Sequence, residues 1–120
     1  MHRVIYQKKR RNKFNAQRTE FGGVKYDSKK EAAYAAELEY RRKAGEITAI
    51  IPHYKIALRV NGKLIANYYV DFRVVNNSGG VEFHEVKSAA TMTALWRMKW
   101  RILEATLEEV EPGAELIVVK

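Results

Sequence analysis

The sequence contains no cysteine, two prolines and only two aspartates among its 120 residues. Without cysteine the chain can form no disulfide framework, no thiolate zinc site and no cysteine nucleophile. No apolar run approaches the roughly 20 residues that span a bilayer. The basic N-terminus also lacks the apolar stretch of a signal peptide. These absences predict a cytoplasmic protein with no membrane partner.

Positive charge is concentrated in the first quarter of the chain. The protein has 22 basic and 14 acidic residues, for a formal net charge of +8. Residues 1–30 hold ten basic and two acidic residues, whereas residues 31–120 hold twelve of each sign. A concentrated basic segment on a neutral body indicates contact with a polyanion, and the alternative is a solubilising tail.

Local patterns predict a single domain over residues 21–120, preceded by a basic arm over residues 1–20. Ser28 and Glu31 have the spacing of a capping box, which predicts the start of a helix that ends before Gly45. Asn61-Gly62 is a strong hairpin pattern, because both residues accept a positive φ. Pro52 predicts that the preceding strand either splits there or runs along a sheet edge.

These elements alternate in the order α-β-β-β-α-β. The second helix opens at Thr91 or Thr93 and reaches about Val110. The predicted helices and strands cover residues 29–44, 47–60, 63–75, 81–86, about 93–110 and 115–119.

Asp71 lies within an apolar strand, where a carboxylate is costly unless it is paired or bound to a metal. Glu85 and Lys87 follow in the next strand. They point to one face while Val86 points to the core, since side chains alternate across a strand. Antiparallel pairing would bring Asp71 beside Glu85. Two carboxylates with a lysine suit Mg²⁺ and phosphodiester hydrolysis, but the same pattern also fits a cross-strand ion pair on a solvated face.

Four short motifs, in their order and spacing, resemble the PD-(D/E)XK nuclease superfamily over roughly residues 21–105. They are similar to a family of small phage-encoded nucleases and to archaeal-type Holliday junction resolvases. The superfamily's proline position is Val70 here. The motifs are Tyr26-Asp27-Ser28-Lys29-Lys30-Glu31, Gly45-Glu46-Ile47, Tyr69-Val70-Asp71-Phe72 and Glu85-Val86-Lys87.

The resemblance implies an α/β, restriction-endonuclease-like core with a central mixed sheet flanked by helices. It implies that Asp71 and Glu85 bind Mg²⁺, for which Mn²⁺ can substitute, with the Val86 carbonyl as a third ligand and no other cofactor. Lys87 would position the attacking water. Glu31 would complete the site, although it also fits a purely structural role in the capping box.

Basic residues would contact DNA phosphates without reading the sequence. No zinc-finger, helix-turn-helix or RNA-binding pattern is present, which favours structure-selective recognition. Either Tyr68 or Tyr69 is expected to touch DNA while the other packs, and His84 is expected to pack in the core. The residues predicted to bind DNA are Lys8, Lys9, Arg10, Arg11, Lys13, Arg18, Lys29, Lys30 and, from the resemblance, Lys99.

The second helix carries two apolar stripes. One contains Trp96, Trp100, Leu103 and Leu107, and the other contains Leu95, Met98 and Ile102. Two apolar faces need two partners, which predicts a homodimer beside the packing on the sheet, and the alternative is a helix wholly buried in a monomer. Its interface is assigned to Trp96, Trp100 and Leu103.

The sequence therefore predicts a Mg²⁺-dependent endodeoxyribonuclease, a homodimeric Holliday junction resolvase of DNA recombination and repair. If phage-encoded, it would act in the host cytoplasm. Another nuclease of the same fold, of the nicking, flap or restriction type and acting on linear or branched DNA, is the first alternative. A non-catalytic nucleic-acid-binding protein is the second.

Overall fold

The computed structural model of the chain describes residues 2–5 and 19–120. Its elements are two helices, one short 3₁₀ helix and seven strands. In chain order they are β1 (His2–Ile5), β2 (Thr19–Phe21), β3 (Val24–Tyr26), α1 (Lys29–Lys43), β4 (Ile47–Val60), β5 (Lys63–Asn76), β6 (Val81–Val86), the 3₁₀ helix (Ala89–Thr91), α2 (Ala94–Val110) and β7 (Glu115–Val119).

A mixed five-stranded sheet organises the described residues, in the order β1-β7-β6-β5-β4. β4, β5 and β6 pair antiparallel, whereas β7 pairs parallel with both β6 and β1. β2 and β3 form a separate two-stranded hairpin. The mixed α/β architecture with flanking helices agrees with the predicted class.

The helices cover opposite faces of the sheet. α1 packs Tyr34 and Leu38 against Phe72 and Ile117, and α2 packs Trp100 and Leu103 into a second cluster that contains Leu116. Leu116 and Ile117 are neighbours on β7, so they point to opposite faces. The sheet is therefore the central layer between two apolar cores.

The helix boundaries follow the local sequence patterns. Ser28 is the N-cap of α1, and its hydroxyl accepts a hydrogen bond from the Glu31 N–H at 3.1 Å. The chain leaves α1 through Gly45, whose φ of +84° favours glycine. α2 begins after Thr93, whose hydroxyl accepts from the Trp96 N–H at 3.1 Å.

The β4–β5 hairpin spans 14 residues on each side of its turn. Asn61 and Gly62 have φ values of +51° and +80°, as expected for this turn. Pro52 does not split β4, because β4 lies at the sheet edge, where a missing N–H costs no ladder bond.

The N-terminal prediction needs correction. Residues 1–20 were expected to form an arm without regular structure, yet His2–Ile5 adds a strand to the sheet and Thr19–Phe21 begins a hairpin. Strands of three or four residues are too short for alternation to reveal them. The predicted DNA-binding residues Lys8, Lys9, Arg10, Arg11, Lys13 and Arg18 lie outside the described residues.

The predicted dimer interface also needs correction. Trp100 and Leu103 are only 4% and 0% exposed because the sheet of the same chain covers them, and Trp96 is partly buried beside them. Leu95 and Met98, in the other stripe, remain 58% and 51% exposed. An apolar stripe indicates burial but does not identify what covers it. Within the described residues, no helix is long and apolar enough to cross a membrane.

The two stripes of α2 predict different mutational costs. We expect Leu103→Ala to lower the free energy of unfolding by about 2–5 kcal/mol, because it opens a cavity in the core. Leu95→Ala should stay within about 0.5 kcal/mol of the parent, as expected for an exposed site. Urea unfolding at low protein concentration measures both changes. Equal losses for the two variants would contradict the assignment of one buried and one exposed stripe.

Candidate active site

The candidate site lies where β5 separates from β6. The two strands pair from Val75 and Val81 as far as Phe72 and His84, and the pairing stops there. At this point the Asp71 side chain replaces the ladder, since its Oδ2 accepts the Val86 N–H at 2.7 Å. In return, Glu85 Oε1 accepts the Asp71 N–H at 3.2 Å. The predicted neighbourhood of Asp71 and Glu85 is therefore present.

The alternation of side chains between the two faces of the sheet is interrupted at Asp71. Val70 belongs to the core under α2, whereas Phe72 belongs to the core under α1. Residues two apart normally share a face, so the alternation is interrupted at Asp71. On β4, His53 lies between the partners of Val70 and Phe72 and has a positive φ of 53°. This local irregularity lets the hairpin turn toward α2 while Asp71 stays beside β6.

Lys87 joins the carboxylates from the end of β6. Its ammonium lies 3.5 Å from Glu85 Oε2 and 5.0 Å from the ring centre of Trp96. Val86, between them in the chain, packs in the core under α1. Glu85 and Lys87 thus share a face as predicted, and Trp96, which was assigned to the dimer interface, contacts Lys87 of the same chain.

The Val86 backbone faces Asp71. The N–H and C=O groups of one strand residue point to the same side, and the Val86 N–H donates to Asp71. The next residue, Lys87, directs its N–H to Val119 on the opposite side. The Val86 carbonyl is therefore directed toward the carboxylates and away from β7.

The first turn of α1 approaches the same place. Glu31 interacts electrostatically with Asp71 and Lys87, while its Oε2 accepts the Asp27 N–H at 3.3 Å. Glu31 therefore accepts a hydrogen bond at the start of α1 and also lies near Asp71 and Lys87. The capping partner, however, is Asp27, one residue before the expected N-cap.

Several contacts were missed by the sequence reasoning. The Lys30 ammonium donates to the Lys87 carbonyl at 3.0 Å, so Lys30 reaches the site. Tyr68 is buried and hydrogen-bonds to Glu85 and to the Trp96 indole N–H, whereas Tyr69 is 58% exposed. His53 interacts with Glu31 and lies 5.3 Å from the Tyr26 ring.

Two further residues predicted to contact DNA, Lys29 and Lys99, lie on different helices. Lys29 is exposed on the first turn of α1. Lys99 is partly buried and lies one turn after Trp96 on α2, so it shares a helix face with a residue that contacts Lys87.

The carboxylates of the site are held in an unfavourable electrostatic environment. Burial, followed by the charges of Glu85 and Glu31, raises the pKa of Asp71. Burial also raises the pKa of Glu85 and, together with the charge of Asp27, that of Glu31. Burial raises the pKa of the Tyr68 hydroxyl as well. The charge of Lys87 acts to lower the pKa of Asp71, Glu85 and Glu31 but does not cancel the increase.

A second polar cluster lies on the opposite face of β6. The Tyr34 hydroxyl is 2.6 Å from His84 Nδ1, and His84 Nε2 is 2.8 Å from Glu82 Oε1. Asn76 donates to the other oxygen of Glu82 at 3.1 Å. The bond from His84 lowers the pKa of Glu82 to about 2. His84 is 1% exposed, which confirms its prediction as a packing residue.

The donor set determines which metals could fit. Among the described residues, no group of three or more His, Cys, Asp or Glu side chains is arranged to hold a metal ion. Mg²⁺ needs fewer, since it takes one or two carboxylates and keeps several waters. The bonds to Val86 and Asp71 use Oδ2 of Asp71 and Oε1 of Glu85. The second oxygen of Asp71 and the Val86 carbonyl fit such an ion, whereas Oε2 of Glu85 would share it with the Lys87 ammonium, which lies 3.5 Å away.

Comparison with known proteins identifies a family over most of the chain. The family described as "Protein of unknown function (DUF1064)" matches residues 11–114. The chain belongs to this family. No curated protein and no solved structure gives a significant match. The DUF1064 match covers α1, β4–β6 and α2, and therefore every residue of the site.

We expect Asp71→Asn to stabilise the metal-free DUF1064 protein. A carboxylate whose pKa is raised by folding binds more protons in the folded state, so its contribution makes stability fall as pH rises. For Asp71, Glu31 and Glu85 this decline begins near their ordinary values of 3.8 and 4.5 and continues up to the raised values. The asparagine removes one of the three charges and keeps an oxygen for the Val86 N–H.

Urea unfolding from pH 5 to pH 8 in EDTA tests this prediction. The variant should unfold at higher urea than the parent at pH 8 and should show a weaker decline with pH. The matched control is Glu37→Gln, an exposed residue of α1, and it should follow the parent. A less stable Asp71→Asn protein at pH 8 would show that the Asp71 charge stabilises the fold.

Proposed function

We propose that the chain is a metal-dependent, structure-selective DNA endonuclease of restriction-endonuclease-like fold, and within that class a Holliday junction resolvase. One observation carries the proposal. Four charged side chains from α1, β5 and the end of β6 meet where the pairing between β5 and β6 ends. They are Glu31, Asp71, Glu85 and Lys87.

The order of elements supports the proposed fold. From α1 to β7 the chain runs α-β-β-β-α-β with the helices on opposite faces of a mixed sheet. The resemblance to PD-(D/E)XK nucleases implies this order. The two acidic positions lie on adjacent antiparallel strands, as that fold requires.

Burial argues against a simple ion pair at the surface. Glu85 is only 3% exposed, and the site gathers three carboxylates around Lys87. A pair selected for stability would lower the pKa of its carboxylate, as His84 does for Glu82. Raised pKa values in a polar cluster are typical of functional sites.

Asp71 and Glu85, with the Val86 carbonyl, would hold Mg²⁺ or Mn²⁺. The ion would polarise the phosphate and neutralise charge that develops there. Lys87, fixed between Glu85 and the Trp96 ring, would orient a water toward the phosphorus. The resemblance implies attack in line with the 3′ oxygen and a 5′ phosphate product.

The resolvase assignment also rests on charge and symmetry. A strongly basic N-terminal quarter suits a DNA backbone. Symmetric cutting of two strands requires two active sites, and hence a homodimer. With Trp100 and Leu103 buried, the exposed Leu95 and Met98 are the apolar residues of α2 available for such an interface.

Substitution of the acidic residues should separate cutting from binding. We expect Asp71→Asn and Glu85→Gln each to abolish Mg²⁺-dependent cleavage of four-way junctions, because each removes a charge needed for the metal, while junction affinity stays within a few-fold. Glu37→Gln should cleave like the parent. Labelled junctions, flaps, forks and duplexes, each with and without EDTA, provide the measurement.

Each pattern of cleavage has a distinct meaning. Paired incisions restricted to junctions support a resolvase, whereas cutting of flaps or duplexes indicates another nuclease of this fold. Tight binding without cutting of any substrate would favour a binding protein. Cleavage that survives in both acidic variants would refute the assigned metal site.

Divalent cations should stabilise the parent protein directly. Mg²⁺ or Mn²⁺ at 10 mM is expected to raise the melting temperature, because the ion binds the folded carboxylates and relieves their repulsion. The increase should vanish in Asp71→Asn and persist in Glu37→Gln. Thermal unfolding in matched ionic strength tests this, and an equal increase in all three proteins would indicate only a general salt effect.

A further inference from the structure

The β4–β5 hairpin has an unusual distribution of charge. Between Ile47 and Val70 the sequence has no aspartate or glutamate, although it carries three full cations. Those cations are Lys55, Arg59 and Lys63. This segment therefore has a net charge of +3 within a body whose residues 31–120 are neutral overall.

Within the described residues, the core under α2 covers one face of the outer hairpin. Ile56, Leu58, Tyr68 and Val70 pack into the core under α2. The residues between them, Lys55, Ala57, Asn67 and Tyr69, are all exposed.

The open face places a cation beside an aromatic ring. Lys55 pairs directly with Tyr69, and Ala57 pairs with Asn67. Lys55, Ala57 and Arg59 also line a groove between β4 and α2, which they share with Glu109 of α2.

The tip of the hairpin combines exposed apolar and basic side chains. Val60, Leu64 and Ile65 are 42%, 50% and 52% exposed. Arg59 pairs with Leu64 and also donates to the Gly62 carbonyl at 3.3 Å, so its guanidinium lies at the turn. Exposed apolar side chains that cluster beside basic residues are typical of an interaction surface.

The open face begins at the candidate site. Tyr69 lies two residues before Asp71, and Leu64 lies five residues further toward the tip. At about 3.4 Å per residue this strand carries the surface roughly 20 Å away from the site. A DNA strand of about six nucleotides spans the same length.

We infer that the β4–β5 hairpin is a DNA-binding arm that holds the substrate beside the carboxylate site. Lys55, Arg59 and Lys63 contact phosphates, and Tyr69 with the apolar tip contacts bases exposed at a branch point. Apolar side chains inserted between bases are a known means of recognising distorted DNA. The identity of the substrate rests on the proposed function, but the binding surface does not depend on cleavage.

Neutralising the arm tests its contact with phosphates. In the full-length chain with Lys55→Gln, Arg59→Gln and Lys63→Gln, we expect affinity for a fluorescent four-way junction in EDTA to fall at least about 10-fold at 0.1 M salt. The slope of log affinity against log salt should fall by up to about 2.7, because each lost duplex phosphate contact releases about 0.9 fewer counterions.

A matched control removes the same charge elsewhere. Arg41→Gln, Arg42→Gln and Lys43→Gln lie together in the last turn of α1. This triple variant should keep the parent slope and bind within about 3-fold of the parent. Equal losses of junction affinity in the two triple variants would show that only the net charge of the protein matters. That result would refute the hairpin as a DNA-binding arm.

Substitution of the tip tests recognition of the branch point. Leu64→Ser with Ile65→Ser should weaken junction binding about 10-fold while duplex binding stays within about 2-fold. Unchanged junction binding would refute base contact. If light scattering also showed that this variant alone had lost a dimer, the tip would instead be an interface between copies.

The two proposals can fail separately. If the parent cleaves junctions but neither hairpin variant changes binding, the DNA-binding arm is refuted and the proposed nuclease function is retained. If the hairpin variants lose binding and no substrate is cut in Mg²⁺, the DNA-binding arm is retained and the proposed nuclease function is refuted.

Discussion

The loss of pairing between β5 and β6 at Asp71 is the constraint on which the arrangement of the site depends. A strand that leaves a sheet exposes backbone groups that need new partners. Here the Asp71 carboxylate accepts the Val86 N–H, and Glu85 accepts the Asp71 N–H. These two bonds keep the carboxylates at the point of divergence. They also leave the outer hairpin able to pack its apolar face against α2.

The same divergence of β5 from β6 explains why the first turns of both helices reach the carboxylate site. α1 packs against one face of the sheet, and its first turn brings Glu31 and Lys30 to the end of β6. α2 packs against the opposite face, and its first turn brings Trp96 to Lys87. Each core therefore supplies one wall of the site.

Elements with strong local patterns were predictable from the sequence. The cap at Ser28, the Asn61-Gly62 turn and the cap at Thr93 are local interactions that act within a few residues, and the structure contains all three. The β2–β3 hairpin was missed although Gly22-Gly23 is a typical hairpin turn. Its strands of three residues show no clear alternation.

The proximity of Asp71, Glu85 and Lys87 was predictable because alternation and antiparallel pairing fix it geometrically. The partners of the α2 stripes were not, since apolar periodicity gives the direction of burial without the identity of the neighbour. Lys30 was predicted to bind DNA, but its contact with the Lys87 carbonyl was missed for a related reason. A lysine in the first turn of a helix resembles a solvated residue, and only the packing angle of α1 directs it to the Lys87 carbonyl.

The two buried glutamates of β6 differ in how far the chain compensates their charge. Glu82 has His84 and Asn76 as partners, and its pKa falls to about 2, so its charge is compensated within the chain. Glu85 has Lys87 at 3.5 Å, yet burial still raises its pKa. Both lie on one strand and differ mainly in the groups around them. A buried carboxylate that the chain compensates is explained by folding alone, whereas one that is only partly compensated beside two other acidic residues is neutralised either by a proton or by a cation from outside.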